Sequence, residues 1–515
     1  MIEKIVLNVG SWIEKWARIQ PEKIALISED VSYSYLELNR RVNRLCNFFL
    51  DMGMVKGDRV AVLLRNCRQY IELFLALSKA GGILVPLNWR LALPETEFIV
   101  RDSSPRFIIF DEEFAGNAAM LRERLSVFKE VFCTSGESKR VGEVPDWAIE
   151  YESSIMAYPD SKPNIPWQTG AEDPHIIMYT SGTTGLPKGA ILSHQKTFFN
   201  VLNAGIYFDL TSKDIAMIAR PLFHSGGLIV EFAPILYKGG TAIIKKRFSP
   251  QQILEVVEKE RVTVLELPAT VYNIMLHECD ISKYDLTSIK CFFTGGERIP
   301  VALLKAYAEK GIIISQIYGL TEVSTIFWLP ASRAIEKMGS VGQPAFHGEV
   351  RVVDGKGKPV KAGEIGEIAV KGPIVMNGYW KRPDLTRQVM KGGWLHTGDL
   401  ARFDEDGFAY IVDRKKDMFI SGGENVYPAE VEKALLGHPA ILDVAVVGVS
   451  DEKWGEVGKA FIVLRSGCSL QAEDVQTFLG DHLGRYKIPK YVEFIEKLPK
   501  TASGKIKKHI LKQKR

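Results

Sequence analysis

The sequence predicts an α/β protein with a large N-terminal domain and a small α+β C-terminal domain. The large domain is expected to hold two helix-covered α/β subdomains plus a small β-barrel. Three observations lead there. Helical and strand patterns alternate along 11–85 and again along 253–317, as in a parallel sheet covered by helices. Between Gly339 and Tyr410 the pattern changes to short strands around a turn. After the charge run Asp413-Arg414-Lys415-Lys416-Asp417 comes a stretch of about a hundred residues of mixed pattern, enough for a separate domain. The expected division is therefore 1–415 and 416–515. A chain of 515 residues is too long for one core in any case.

In order, a helix is expected from Ser11 to Ile19 and a strand from Lys23 to Ile27. Ser34-Tyr35-Leu36-Glu37 has the spacing of a capping box. Leu38, Val42, Leu45 and Phe49 then recur at helical spacing until Gly53. Arg59 to Leu64 reads as a buried strand, Gln69 to Ala80 as a helix, and Ile83 to Val85 as the next strand. The polar, proline-punctuated stretch 134–172 reads as a surface connector. Ile176-Ile177-Met178 is a strand, and Ala190 to His194 another apolar step. Ile253–Glu260 and Ala302–Glu309 read as helices, Val262–Leu267 and Ile312–Ile317 as strands. Strands at 350–354 and 366–370 follow, with Asp354-Gly355 as a hairpin-type turn. The last hundred residues read as helix 428–436, strands 441–449 and 459–465, helix 471–483 and strand 490–495.

Composition sets bounds. Hydrophobic content of 46%, charged content of 25% and a net charge of +4 fit a globular enzyme and give no argument for nucleic acid. The cysteines at 46, 67, 133, 279, 291 and 468 show neither C-x-x-C pairs nor metal-ligand spacing and are expected to be reduced thiols. The start of the chain lacks the order of a signal peptide, and no run is long and apolar enough to span a bilayer. A cytoplasmic location is expected; peripheral membrane contact and a homodimer are not excluded.

The chemistry gathers in short motifs. Tyr179-Thr180-Ser181-Gly182-Thr183-Thr184-Gly185-Leu186-Pro187-Lys188-Gly189 follows a strand. Its glycines let the backbone approach a polyphosphate, its hydroxyls add donors and its Lys a point charge. It is not the Gly-Lys-Ser/Thr signature of P-loop NTPases, since Pro187 and Gly189 flank the Lys. The bland alternative is a flexible surface loop. Arg220-Pro221-Leu222-Phe223-His224-Ser225-Gly226-Gly227 places a His beside an aromatic, where a structural role is the usual one. Thr294-Gly295-Gly296-Glu297 ends a strand, at the sheet edge where ligands bind in such folds. Gln316-Ile317-Tyr318-Gly319-Leu320-Thr321-Glu322 offers an aromatic plane for a purine and a carboxylate suited to Mg²⁺. Asp399, in Thr397-Gly398-Asp399, can accept two ribose hydroxyls. The bland alternative for Asp399 and Arg414 is membership of surface ion pairs, and for a lone lysine near the chain end such as Lys505 it is a solvated surface position.

Together these motifs resemble, in order and spacing over nearly the whole chain, the adenylate-forming superfamily, and within it the acyl-CoA synthetases. The segment from Asp413 to Pro428 and Asp451-Glu452-Lys453-Trp454-Gly455-Glu456 are most similar to fatty acyl-CoA ligases. The resemblance implies ATP, Mg²⁺ and coenzyme A as small-molecule partners of a carboxylic acid, and a ligase that makes acyl-AMP and then acyl-CoA. It implies that Thr180, Ser181, Gly182, Thr183, Thr184, Gly185 and Lys188 meet the phosphates. Glu322 and Thr180 would serve the metal and the chemistry. Gly295, Gly296, Glu297, Gln316, Tyr318, Gly319 and Thr321 line the adenine and substrate side, His224 borders the acyl pocket, and Asp399 and Arg414 meet the ribose. Lys416 is the hinge of a mobile C-terminal domain. Ser421, Gly422 and Gly423 help form the pantetheine channel, and Lys505 is the main catalytic residue of adenylation.

An amino-acid-loading module fits poorly, because His224 stands where such modules place an acidic group. A luciferase-like oxygenase shares the motifs, and a non-catalytic nucleotide-binding protein is the alternative of another class. Phe223, Val230, Ala269, Tyr272, Ile326 and Trp328 are the apolar candidates for the acyl pocket. A medium- to long-chain fatty acid is the first expectation for the substrate, an aryl or cyclic acid the second.

Overall fold

The computed structural model describes residues 7–29, 31–125, 128, 130–134, 144–180, 187–297, 299–421, 424–451, 454–480, 482–501 and 504–513. The chain divides into two compact units. One is Met1–Val350 with Val370–Leu395, and the other Arg351–Ala369 with His396–Arg515.

The first unit is built on two sheets, as the alternating pattern requires. In the eight-stranded sheet the order is Gly378–Tyr379, Lys188–Ser193, Pro174–Thr180, Ile83–Pro86, Arg59–Leu63, Phe107–Asp111, Glu130–Thr134 and Ile149–Glu150. From Pro174–Thr180 onward neighbours run parallel; Lys188–Ser193 and Gly378–Tyr379 are added antiparallel at one edge. The nine-stranded sheet has a parallel centre: Ile314–Tyr318, Cys291–Gly295, Val264–Glu266, Ile215–Ile218, Thr241–Ile244 and Ile24–Ser28. Antiparallel strands flank it on both sides. Buried strands such as Ile83–Pro86 and Phe107–Asp111 are continuous apolar runs because both faces of the sheet are covered.

Local signals act where they were read. Ser34 Oγ accepts from Glu37 N, and the Glu37 carboxylate accepts from Ser34 N at 2.7 Å, closing the capping box of the helix Tyr35–Asp51. The turn after strand Glu349–Val353 is longer than a dipeptide. Asp354 accepts from the amides of Lys356 and Lys358, and the chain reverses at Gly357 (φ +79°).

The stretch expected as a connector is more structured than that over 144–172. The strand Ile149–Glu150 extends the sheet, and the helix Tyr151–Met156 docks onto buried charges. Glu72, fully buried, accepts from Tyr151 Oη (2.9 Å) and Arg68 (2.6 Å), while Glu152 accepts from Arg41 and Arg68. Two arginines for two carboxylates make this a matched network, which removal of one partner would unbalance. Its polarity hid it, since apolar periodicity carries no trace of a charge-docked helix.

In the second unit most of a five-stranded half-barrel sheet is the expected small barrel, with Trp394–Phe403 antiparallel to Ala409–Arg414. Beyond it, Glu424–Val426, Phe419–Ser421, Gly455–Leu464 and Ile441–Asp451 form a further sheet that Tyr491–Phe494 joins in parallel. The helices Pro428–Leu435 and Ala472–Gly480 cover one face, with Val431, Leu435, Val475 and Leu479 buried. Among the described residues no helix is long and apolar enough to cross a membrane.

Candidate active site

Thr180 closes the strand Pro174–Thr180 and lies directly opposite Lys188, the first residue of the antiparallel return strand. The phosphate-type loop is thus the connection of a β-hairpin. Ser181, Gly182, Thr183, Thr184 and Gly185 lie outside the described residues. Thr180 Oγ1 is buried and has no hydrogen-bond partner among the described residues.

Pairing of Gly378–Tyr379 with the return strand brings Tyr379 beside Lys188. Lys188 Nζ donates to the Tyr379 hydroxyl and lies 3.4 Å from the Glu322 carboxylate. Tyr379 in turn donates to Glu322 Oε1 at 2.7 Å. Burial and that carboxylate push the Tyr379 phenol well above its ordinary range, so it stays a donor. Glu322 is only 8% exposed.

The Glu322 loop is held from behind by the helix His194–Tyr207. Asn200 donates to Val323 O (3.1 Å) and accepts from Thr325 N (3.2 Å). Lys196 Nζ, on the same face one turn earlier, donates to Ser324 Oγ at 2.7 Å. Ser324 has φ +73°, an uncommon backbone for a non-glycine residue. Lys196 is fully buried, and burial, partly offset by Glu322, lowers its ammonium to about 7.

That position has a stability consequence. Unfolded, a lysine ammonium titrates near pH 10.4. The cost of burying the charge is therefore complete below pH 7 and fades as pH rises from 7 towards 10. Lys196→Met is expected to gain about 1–2 kcal/mol over the wild type at pH 6, because a buried charge gives way to an apolar group of similar size. The gain should shrink by pH 10. Urea unfolding at both values checks this, and an equal effect at the two would contradict it.

Gly295, Glu266 and Tyr318 end three neighbouring strands of the larger sheet at one edge. Gly296 follows at φ +74°, and Glu297 is exposed. Gln316 is buried with Nε2 unpartnered among the described residues. The ring of Tyr318 lies 5.9 Å from that of Phe327 and is half-buried, and Thr321 is half-buried too. Gly319 packs against the carbonyl of Ser324, where a Cβ would come within 1.5 Å of its oxygen. His224 is half-buried with its ring 4.5 Å from Phe223. Arg220, four residues earlier, donates through Nη2 to Gly295 O and through Nε to Glu266.

In the second unit Asp399 and Arg414 are cross-strand partners, with Arg414 Nε 2.7 Å from Asp399 Oδ1. Asp399 is 3% exposed, while the Arg414 side chain is 43% exposed, so the pair joins a buried carboxylate to a half-exposed guanidinium. Lys416 is exposed in the turn that follows. Ser421 is buried, and Gly422 and Gly423 lie outside the described residues. Lys505 is exposed on a turn fixed by reciprocal bonds. Thr501 N donates to Lys505 O at 2.7 Å, and Lys505 N donates to Thr501 Oγ1 at 3.1 Å.

Residues 13–380 match the family described as AMP-binding enzyme, and residues 430–505 its C-terminal domain. The chain belongs to the AMP-binding enzymes. It is 40% identical to a feruloyl-CoA synthase of an Amycolatopsis species over 97% of this chain and 98% of that one. It is 34% identical to the long-chain-fatty-acid–CoA ligase FadD13 of Mycobacterium tuberculosis, over 98% of each chain. The solved o-succinylbenzoate CoA synthetase (MenE) of Bacillus subtilis, with its acyl-adenylate OSB-AMP, superposes at TM-score 0.87 with 32% identity over 98% of both chains. The same enzyme is known with ATP and a magnesium ion.

As an AMP-binding enzyme this chain is an AMP-forming acid–CoA ligase that uses ATP, Mg²⁺ and CoA. The residues present fit the metal. Glu322 supplies a carboxylate, and the unpartnered Thr180 Oγ1 is a second hard oxygen. One carboxylate suffices where substrate phosphates complete the shell. Among the described residues no group of three or more His, Cys, Asp or Glu forms a metal cage.

Sequence reasoning missed Tyr379, Lys196 and Asn200. Lys196 and Asn200 left a faint signal, as polar residues one turn apart on a helix whose neighbours Thr197 and Asn203 are also buried. Tyr379 left none, because only strand pairing delivers it.

Proposed function

We propose that the acid is an aryl or arylalkyl carboxylic acid rather than a medium- to long-chain fatty acid. The observation that carries this is the 40% identity to a feruloyl-CoA synthase over nearly full length. MenE, whose name also specifies an aromatic acid, supports it. The fatty-acid reading keeps one support, the 34% identity to FadD13.

In this reading a carboxylate oxygen attacks the α-phosphorus and pyrophosphate leaves; the CoA thiol then attacks the acyl carbon and AMP leaves. No protein nucleophile is needed, and the chain contributes positioning and charge. Thr180, Ser181, Gly182, Thr183, Thr184, Gly185 and Lys188 hold the phosphates. Thr180 and Glu322 hold Mg²⁺, which when bound neutralises phosphate charge. Tyr379 keeps Lys188 and Glu322 in register through its hydroxyl. Gly295, Gly296, Glu297, Gln316, Tyr318, Gly319 and Thr321 receive the adenine side, and His224 borders the acid. Asp399, oriented by Arg414, accepts the ribose hydroxyls. Lys505 steadies charge as the α-phosphate is attacked. Lys416 is the hinge that exchanges Lys505 for the Ser421, Gly422 and Gly423 loop in the thioester step.

The test is an acid panel with ATP, Mg²⁺ and CoA, read by AMP release. Aryl acids are expected to exceed straight-chain fatty acids of ten to sixteen carbons by about tenfold or more in kcat/KM, roughly what one mismatched pocket group is worth. The opposite order would return the fatty-acid reading.

A further inference from the structure

Under the carboxyl edge of the larger sheet lies a small cavity, with room for one water-sized group. Phe208, Met217, Val230 and Phe293 line it together with two carboxylates, Glu231 and Glu266. Of the apolar pocket candidates read from the sequence, Val230 faces this cavity, while Tyr272 packs in the core with Leu265 and Tyr307.

The charges in this cavity do not balance. Glu266, 2% exposed, is taken by Arg220. Glu231, 6% exposed, is 3.9 Å from the Arg220 guanidinium, and neither of its oxygens has a hydrogen-bond partner among the described residues. Burial and the adjacent Glu266 push the Glu231 carboxyl well above the ordinary carboxylate range. A structural ion pair needs only Arg220 and Glu266. A second buried carboxyl that Arg220 reaches only at 3.9 Å, with no close donor among the described residues, costs stability and has room for a further partner.

The position suggests what that partner is. Glu231 rides on the π-helical turn Gly226–Phe232, which begins two residues after His224. Glu266 ends its strand opposite Phe293, two residues before Gly295, and Arg220 ties that carboxylate to the Gly295 carbonyl. Arg220 and these two elements therefore link the cavity to the Gly295-Gly296 turn and the His224 segment, where the acid lies under the proposed function. The inference rests on that reading.

We propose that Glu231 is a specificity-determining residue, whose carboxyl, next to Glu266, receives a hydrogen bond from a hydroxyl at the far end of the acid substrate. The cavity admits a group of hydroxyl size, and its other walls are apolar. A site built to pair a substrate hydroxyl discriminates against the analogue that lacks it, because its own buried polar group is then left unpaired.

Four acids test this: 4-hydroxycinnamic against cinnamic acid, and 10-hydroxydecanoic against decanoic acid. Each is assayed for thioester formation with the wild type, Glu231→Gln and Glu231→Leu. The wild type should favour the hydroxylated member of at least one pair by about 10- to 100-fold in kcat/KM, the range for leaving a buried polar group unpaired. Glu231→Leu should collapse that ratio to near one or below, mainly through KM of the hydroxy acid. Glu231→Gln, which keeps an acceptor, should retain part of it and decides the matter if the Leu variant does not fold. A wild-type ratio near one in both pairs overturns the inference while leaving the ligase reading intact, and so does a ratio that survives in both variants. Thioester from none of the four acids would sink the substrate reading and the inference with it.

Discussion

Lys505→Ala is expected to lose acid-dependent pyrophosphate release by about a hundred- to a thousandfold, the scale on which removal of one charge-stabilising donor slows a reaction. It should still convert preformed acyl-AMP and CoA into thioester at close to the wild-type rate. The expectation starts from the turn. Gly504 sits at φ +85°, and the two Thr501–Lys505 hydrogen bonds, one of them to the Thr501 hydroxyl, use only the main chain of Lys505, so the substitution removes an ammonium and keeps both bonds. Lys505 is exposed and supports no core, so its loss should leave stability unchanged within about 0.5 kcal/mol, as for surface substitutions generally. An ammonium lowers the barrier only where charge builds, and charge builds on the α-phosphate in the first half-reaction. Separate assays of the two halves check it. Equal loss in both would contradict the division of labour assigned to the Lys416 hinge.

The parts of this fold that were legible in sequence are those governed by local rules. The Ser34–Glu37 box, the helix that follows it and the apolar strands at 83–86 and 107–111 are each set by residues a few positions apart. The motif positions Thr180, Gly295 and Tyr318 were legible for another reason: each ends a strand, where spacing and residue type together mark a ligand edge. What was not legible depends on distant pairing. Tyr379 reaches Glu322 only because residues 378–379 join the strand that starts at Lys188. Lys196 reads as a surface cation until the helix that carries it is buried against the Glu322 loop. The helix Tyr151–Met156 and the Glu231–Glu266–Arg220 group were invisible for the same reason. Their partners are charges met through folding, and apolar periodicity says nothing about those.

Gly319→Ala carries the other large expected effect, because Gly319 is where local chain geometry and the site meet. Its added Cβ would stand 1.5 Å from Ser324 O and 2.6 Å from the carbonyl carbon, a clash with backbone that no rotamer can relieve. Ser324 cannot retreat freely. Its amide donates to Leu320 O at 2.6 Å, Lys196 and Asn200 hold it and its neighbours from the helix side, and Ile326 N donates to Tyr318 O at 2.8 Å. The turn from Tyr318 to Ile326 must open, and Glu322 moves with it. We expect a loss of about 3 kcal/mol or more, at the upper end for overpacked sites, and adenylation down about a hundredfold where the protein folds, the cost of an ångström of misplacement. Gly116→Ala is the control, since it lies inside the helix Ala115–Arg124 with nothing within 4 Å of the new Cβ. It should be neutral or gain about 0.5–1 kcal/mol. Urea unfolding and ATP–pyrophosphate exchange on both variants decide the point. If Gly319→Ala matched Gly116→Ala in both assays, the Ser324 carbonyl would not be the restraint that sets the loop, and the position of Glu322 would need another cause.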